Sequence, residues 1–260
     1  MSGNIEDGQM MSGIEIAGHL RRPDNENLHS ISPLTSGHFF DVADAVAGLR
    51  RGLLLRTGWT LLGSCPAHGA APAADWWAVD LRSSPERERP ALAPDGRLTR
   101  IPIDVPGAAD LLAGRPTTAD YATLYRNMSE HCAAELAAVA TAVAERLPRS
   151  TVVGCSLGKD RTGVAVALLL SLVGLPEREI LDADRAARSA LGACPAASAV
   201  YARRRNVTED EFGRRLAVGT SAVGALLTTV VERHGSAEGF LRAHGATSRT
   251  VDALRRALVG

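Results

Sequence analysis

Lysine is all but missing from this 260-residue chain: of 29 basic residues, Lys159 alone is a lysine and the other 28 are arginines. Acidic residues also number 29, so the formal net charge is zero. That balance excludes the global positive field that draws a protein to nucleic acid or to an anionic membrane. Any anion bound here has to be gripped by a local site. Aromatic residues make up only 4%, too few for the stacking surface of a single-strand-binding protein. The four cysteines, Cys65, Cys132, Cys155 and Cys194, show no close pairing and no C-x-x-C. Neither a disulfide framework nor a zinc site is indicated, and a reducing compartment fits. There is no basic-then-apolar leader pattern, and the longest apolar stretch, Val164 to Leu175, includes Ser171 and is too short to span a bilayer. We expect a soluble, cytoplasmic protein, and the sequence leaves its oligomeric state open.

What is present is ordinary globular material, 45% hydrophobic and 22% charged, in a length that supports one sizeable core. Abundant Ala, Gly and Arg read as coding bias, which leaves Lys159 as the exception to explain. Residues 1–30 carry Gly, Ser, Asn and charge without a sustained period and read as a tail or irregular lead-in. Residues 31–260 read as a single domain whose part from about 177 onward is helical. Gly52–Arg56, Trp76–Leu81 and Leu98–Ile103 are short apolar strand candidates, separated by Ala-, Pro- and Gly-rich or charged connections at 63–74 and 82–97. From Thr117 or Thr118 one long helix is expected to run to about Arg146, where Pro148 ends it. Thr151–Val153 is a β-branched run, and Thr162–Val173 is a nearly all-apolar helix closed by Gly174 and Pro176. Further helices are expected near 177–190, 208–233, 236–244 and 248–259, with start signals at Thr208, Ser236 and Ser248. The class is α/β: a central sheet of about four or five strands flanked by helices, with a helical C-terminal region.

The string that carries chemistry is VVGCSLGKDRTG, Val152–Gly163, lying between the short strand and the buried helix. Cys155 and Arg161 have C-x5-R spacing, which no other cysteine in the chain has. A tight strand-to-helix loop points successive backbone N–H groups inward, and the helix adds its positive N-terminal end. Ser156, Leu157, Gly158, Lys159, Arg161 and Thr162 would together cradle a phosphate-sized anion. In that field a cysteine is held as thiolate. Arg161 offers a planar fork for two phosphoryl oxygens, and Gly158 permits backbone angles that a side chain forbids. Two aspartates compete to protonate the leaving oxygen: Asp160 inside the loop and Asp80 at a strand end.

CSLGKDRTG resembles the signature loop of the bacterial cysteine-dependent tyrosine/serine, dual-specificity-like phosphatases, a family with phosphoinositide-directed members. Arg51–Leu62 (RGLLLRTGWTLL), Val79–Glu86 (VDLRSSPE), Tyr125–Met128 (YRNM) and the tail Val207–Leu258 are similar to further segments of that family. The resemblance covers about residues 50–259. It implies a cysteine-phosphatase fold with a C-terminal lid, and a phosphomonoester hydrolase working through a cysteinyl-phosphate, with no cofactor and no metal. It favours Asp160 as general acid with Asp80 in support, and associates Lys159 with broader or phosphoinositide-type substrates. Thr162 would bond the thiolate or help the attacking water. Arg82, Arg126 and Arg203–Arg205 could contact the substrate: a phosphoprotein, a phosphoinositide or a small phosphorylated metabolite of a biosynthetic pathway. One departure stands out, since the family's histidine before the nucleophile is here Gly154. That loss motivates a second class, a phosphate-binding module without turnover. A third, C-x5-R chemistry such as arsenate reduction, would want a resolving cysteine close by.

Overall fold

The computed structural model describes residues 38–62, 72–84, 86 and 96–260. The expectation for residues 1–30, and most of both expected connections, lie outside these. Five strands form one mixed sheet in the order β1-β2-β5-β3-β4: β1 Phe39–Asp41, β2 Leu54–Gly58, β3 Trp77–Asp80, β4 Leu98–Arg100 and β5 Thr151–Cys155. Only β1 is antiparallel to its neighbour; β2, β5, β3 and β4 run parallel. Parallel strands are covered on both faces, and the pleat shows how. Leu54, Val79 and Val153 point into the main helical core, while Leu55, Ala78 and Val152 point the other way, into an aromatic cluster with Phe39, Trp59 and Trp76.

Nine α-helices lie among the described residues: α1 Ala108–Leu111, α2 Thr118–His131, α3 Ala133–Arg146, α4 Asp160–Leu172, α5 Glu177–Gly192, α6 Pro195–Arg205, α7 Glu209–His234, α8 Ala237–Ala243 and α9 Ser248–Leu258. The α/β class and the helical C-terminal third are as the sequence implies. α4 is central: its apolar run Val164 to Leu170 is buried throughout, as expected of a helix surrounded by others. α7 is long and apolar enough by composition to cross a membrane. Here it packs on α2 and α5, and Phe212, Leu216, Val223, Leu226 and Val230 are buried in the manner of a core helix.

Several local expectations are corrected. The single helix from Thr117 to Arg146 is two helices, broken at Cys132 (φ −125°, ψ 27°), where no Gly or Pro marks the break. The competing interaction is tertiary: Cys132 Sγ donates to the Asp104 carbonyl at 3.3 Å. Helix α6 and strand β1 carry too little periodicity to be read from sequence. Thr208 caps α7 by accepting from the Glu211 amide, but the Glu211 carboxylate turns to Arg214 and Arg215. A reciprocal capping box, side chain to backbone in both directions, is formed at Thr117 and Asp120. Thr247, not Ser248, caps α9. Cys194 is disulfide-bonded, against the expectation of no pairing, because sequence spacing does not report which cysteines the fold brings together.

Leu169 is 1% exposed in the middle of α4. Leu169→Ala should lower the unfolding free energy by about 3 kcal/mol, read from urea denaturation followed by circular dichroism.

Candidate active site

The loop Cys155–Arg161 leaves the C-terminal end of the central strand β5 and enters α4, the place where parallel sheets open toward ligands. Its peptides are tied from behind by β2 and the two residues after it. The Gly154 carbonyl accepts the Trp59 indole N–H at 2.7 Å. Cys155 O accepts from the Trp59 amide at 3.0 Å, and Ser156 O from the Thr60 amide at 3.1 Å and the Thr60 hydroxyl at 2.7 Å. Arg56 Nη2 donates to the carbonyls of Gly158 and Lys159 at 3.1 and 3.4 Å. In a trans peptide the N–H points opposite to the C=O, so fixing the carbonyls of Cys155, Ser156, Gly158 and Lys159 on the β2 side turns the amides that follow them away from β2, while the Gly154 carbonyl faces the β3 side, where it also accepts from the Leu81 amide at 2.8 Å. Two glycines permit the close approach. A Cβ on Gly58 would lie 2.7 Å from the Leu157 carbonyl carbon, and one on Gly158, at φ +71°, would lie 2.5 Å from Thr57 O.

Arg161, on the first turn of α4, meets Glu86 end-on: Nη1 and Nη2 donate to the two carboxylate oxygens at 2.5 and 2.7 Å. Nη1 also reaches Leu81 O at 3.4 Å. A guanidinium has five N–H groups, so this arrangement leaves Nε–H and the second Nη2 hydrogen, two parallel donors along one edge. Burial would raise the Glu86 pKa, but the hydrogen bonds and charge of Arg161 outweigh it and hold the carboxyl at about 2. Burial likewise disfavours the Arg161 cation, and Glu86 more than restores it.

Behind the loop runs a buried chain of charges. Asp184 accepts from Arg56 at 3.1 Å, Arg188 Nε at 2.6 Å and Thr220 at 3.1 Å. Arg188 Nη2 donates to Tyr125 Oη at 2.9 Å, and Tyr125 donates to Asp160 at 2.8 Å. Lys159 is buried: its Nζ donates to Tyr121 Oη at 2.9 Å, lies 3.3 Å from Asp160 Oδ2, and stands over the rings of Tyr121 and Tyr201. Burial lowers the Lys159 pKa to about 8, against the pull of Asp160. Burial works to raise the Asp160 pKa, yet Lys159, Arg188 and the Tyr125 hydroxyl hold it below the usual carboxylate range.

A cleft of about 150 Å³ opens over the loop, lined by Cys155, Ser156, Leu157, Lys159, Asp160, Arg161 and Glu86, with Leu112 and with Tyr201, Arg204 and Arg205 from α6. Arg204 donates to Ser156 Oγ at 2.8 Å.

The model of the tyrosine phosphatase family matches residues 76–260. The chain belongs to the tyrosine phosphatase family. It is 30% identical over 129 residues to the triple specificity protein phosphatase PtpB of Mycobacterium tuberculosis, covering 43% of this chain and 45% of that protein. It is 31% identical over 108 residues to a tyrosine-protein phosphatase of Nostoc commune, covering 39% of this chain and 36% of that one. The chain thus matches less than half the length of either relative.

In this tyrosine phosphatase family member the fold gathers Cys155, Ser156, Leu157, Lys159, Asp160 and Arg161 on one cleft, as their spacing implies. Gly158 sits behind, against β2. Thr162 is fully buried and its Oγ1 makes no hydrogen bond, so the expected bond to Cys155 is not formed. Asp80 lies off the cleft, fully buried and bound by Arg82 through Nε at 2.9 Å and Nη2 at 2.8 Å. Arg82 is therefore a partner of Asp80, and Arg126 is an exposed residue of α2 whose guanidinium bonds Thr123. Glu86, the holder of Arg161, lies within VDLRSSPE, and Trp59 within RGLLLRTGWTLL, but neither segment marks its role, which is set by contacts 75 and 95 residues along the chain. Tyr121 has no sequence signal of its own.

Glu86 has a depressed folded-state pKa, so its contribution to stability is complete above the unfolded value near 4.5 and is lost as pH falls toward about 2. Across that window the unfolding free energy of the wild type should fall more steeply than that of Glu86→Gln, as measured by urea titrations at each pH.

Proposed function

We propose that this protein is a phosphomonoester hydrolase acting through a cysteinyl-phosphate intermediate, with no metal required. The observation that carries the reading is the open Nε–Nη2 edge of Arg161 in the same cleft as Cys155, above a loop whose carbonyls are tied back. Phosphate oxygens bind that edge and the loop amides. The Cys155 thiolate attacks phosphorus in line, an S–P bond forms, the P–O bond to the leaving group breaks, and Asp160 gives the leaving oxygen its proton. Water then attacks phosphorus, Asp160 takes the water's proton, and the S–P bond breaks to release phosphate and restore the thiolate. Lys159, Arg188 and the Tyr125 hydroxyl favour the Asp160 carboxylate; a bound phosphate dianion raises its proton affinity by like charge. The names of the two relatives support a phosphate ester as substrate. Lys159, Arg204 and Arg205 beside the cradle suit one with further negative charge, such as a phosphoinositide or an acidic phosphopeptide, over a neutral phosphorylated metabolite.

The reading as a phosphate-binding module rested on Gly154, and the tie from Trp59 to the Gly154 carbonyl weighs against it. Among the described residues arsenate reduction finds no resolving thiol: Cys132 is buried at the α2–α3 junction with its thiol on Asp104 O, and Cys194 is disulfide-bonded.

Cys155→Ser should abolish metal-free, vanadate-sensitive turnover of an aryl phosphate while preserving the circular dichroism spectrum; retained turnover would end the covalent mechanism. Arg161→Lys should lower kcat/KM by about a hundredfold or more, since an ammonium cannot span two phosphoryl oxygens and leaves Glu86 half-bonded. Asp160→Asn should slow esters with poor alkyl leaving groups far more than activated aryl ones, whose leaving oxygen needs little protonation. Equal losses on both would move the acid role to Lys159, the other proton carrier on the cleft.

A further inference from the structure

Gly154 precedes the nucleophile, and nothing larger fits there. A Cβ at this position would lie 2.7 Å from Trp59 Nε1 and 2.8 Å from both Thr57 Cγ2 and Thr57 O. The space that a side chain at 154 would use is filled by the Trp59 indole. That ring is 2% exposed and stacks on Trp76, with ring centroids 6.3 Å apart and planes at 16°. The Gly154 carbonyl takes two hydrogen bonds, from the Trp59 indole at 2.7 Å and from the Leu81 amide at 2.8 Å. Both lone pairs of the last carbonyl before Cys155 are therefore used, one by a strand neighbour and one by a side chain.

We infer that the Trp59 indole N–H is a positioning group for the nucleophile, acting through the Gly154–Cys155 peptide; this rests on the cysteine mechanism proposed above. The bond fixes the plane of that peptide and so the direction in which Cys155 leaves β5. It also draws electron density from the carbonyl that precedes the nucleophile, reducing the negative end of a dipole that would oppose a thiolate and an incoming phosphate. The indole reaches the loop from the sheet's aromatic face, so it acts without touching the substrate. Gly154 and Trp59 form a matched pair, the missing side chain making room for the donor.

The test compares Trp59→Phe, which keeps an aromatic ring and removes the N–H, with Trp76→Phe, which changes the same aromatic layer without a bond to the loop. Trp59→Phe should lower kcat on an aryl phosphate about tenfold, equal to about 1.4 kcal/mol of barrier, with KM changed less than about twofold. Trp76→Phe should lower the melting midpoint with kcat retained. An unchanged kcat in Trp59→Phe, or an equal kcat loss in both variants, overturns the inference. Should Trp59→Phe fail to fold, the wild type decides through its three indole N–H resonances, assigned with Trp76→Phe and Trp77→Phe. The Trp59 signal should shift on adding inorganic phosphate, and a signal that does not move overturns the role. Iodoacetamide labelling of the wild type separates the two levels. If phosphate fails to protect Cys155, the cysteine mechanism and the role of Trp59 fall together; protection with an unaltered Trp59→Phe removes Trp59 alone.

Discussion

The cleft depends on tying backbone carbonyls to one side of a turn. A short loop that must present its amides to an anion has to dispose of its carbonyls, and water cannot reach them against a buried sheet. Here β2 and its continuation supply the donors in register: Arg56 for Gly158 and Lys159, Trp59 for Gly154 and Cys155, Thr60 for Ser156. The parallel pairing of β2 with β5 brings these residues level with the loop, since Gly58 lies opposite Cys155. The sheet is therefore the support of the site as well as its floor, and the small residues Gly58, Gly154 and Gly158 are what allow the two backbones to meet.

The second support is electrostatic. Charges are stable at low exposure only when paired and hydrogen-bonded, and the route Arg56–Asp184–Arg188–Tyr125–Asp160–Lys159 does this in sequence from β2 through α5 and α2 to the loop. Arg56 and Arg188 thus hold the loop's shape and Asp160's charge through shared partners. Glu86 does the same for Arg161 from the opposite side, by occupying the end of the guanidinium and leaving its long edge toward the cleft.

Much of this was legible in the sequence because the relevant signals are local. C-x5-R at a strand-to-helix turn, the all-apolar run of α4 and the glycine at 158 each state a backbone requirement within a few residues. The fold class followed from the change of period between the two halves of the chain. What could not be read was tertiary: the break at Cys132, where a thiol finds a carbonyl from 28 residues earlier; the pairing of Cys194; and the burial of Asp80 and Arg82 away from the cleft. Gly154 is the instructive case. In the sequence it looks like the loss of an ordering side chain, whereas in the structure the volume and a hydrogen-bond donor are supplied by Trp59, 95 residues earlier in the chain.

The solitary lysine has a practical meaning. Its ε-amine lies against Tyr121 and Asp160 on the cleft, and burial keeps it less basic than a surface amine. The exterior of this protein is studded with guanidinium groups but offers no lysine side chain to acylating reagents, amine crosslinkers or lysine-specific proteases. Chemistry directed at side-chain amines is thereby chemistry directed at the cleft, and a substrate or inhibitor seated there would shield the one ε-amine the molecule has.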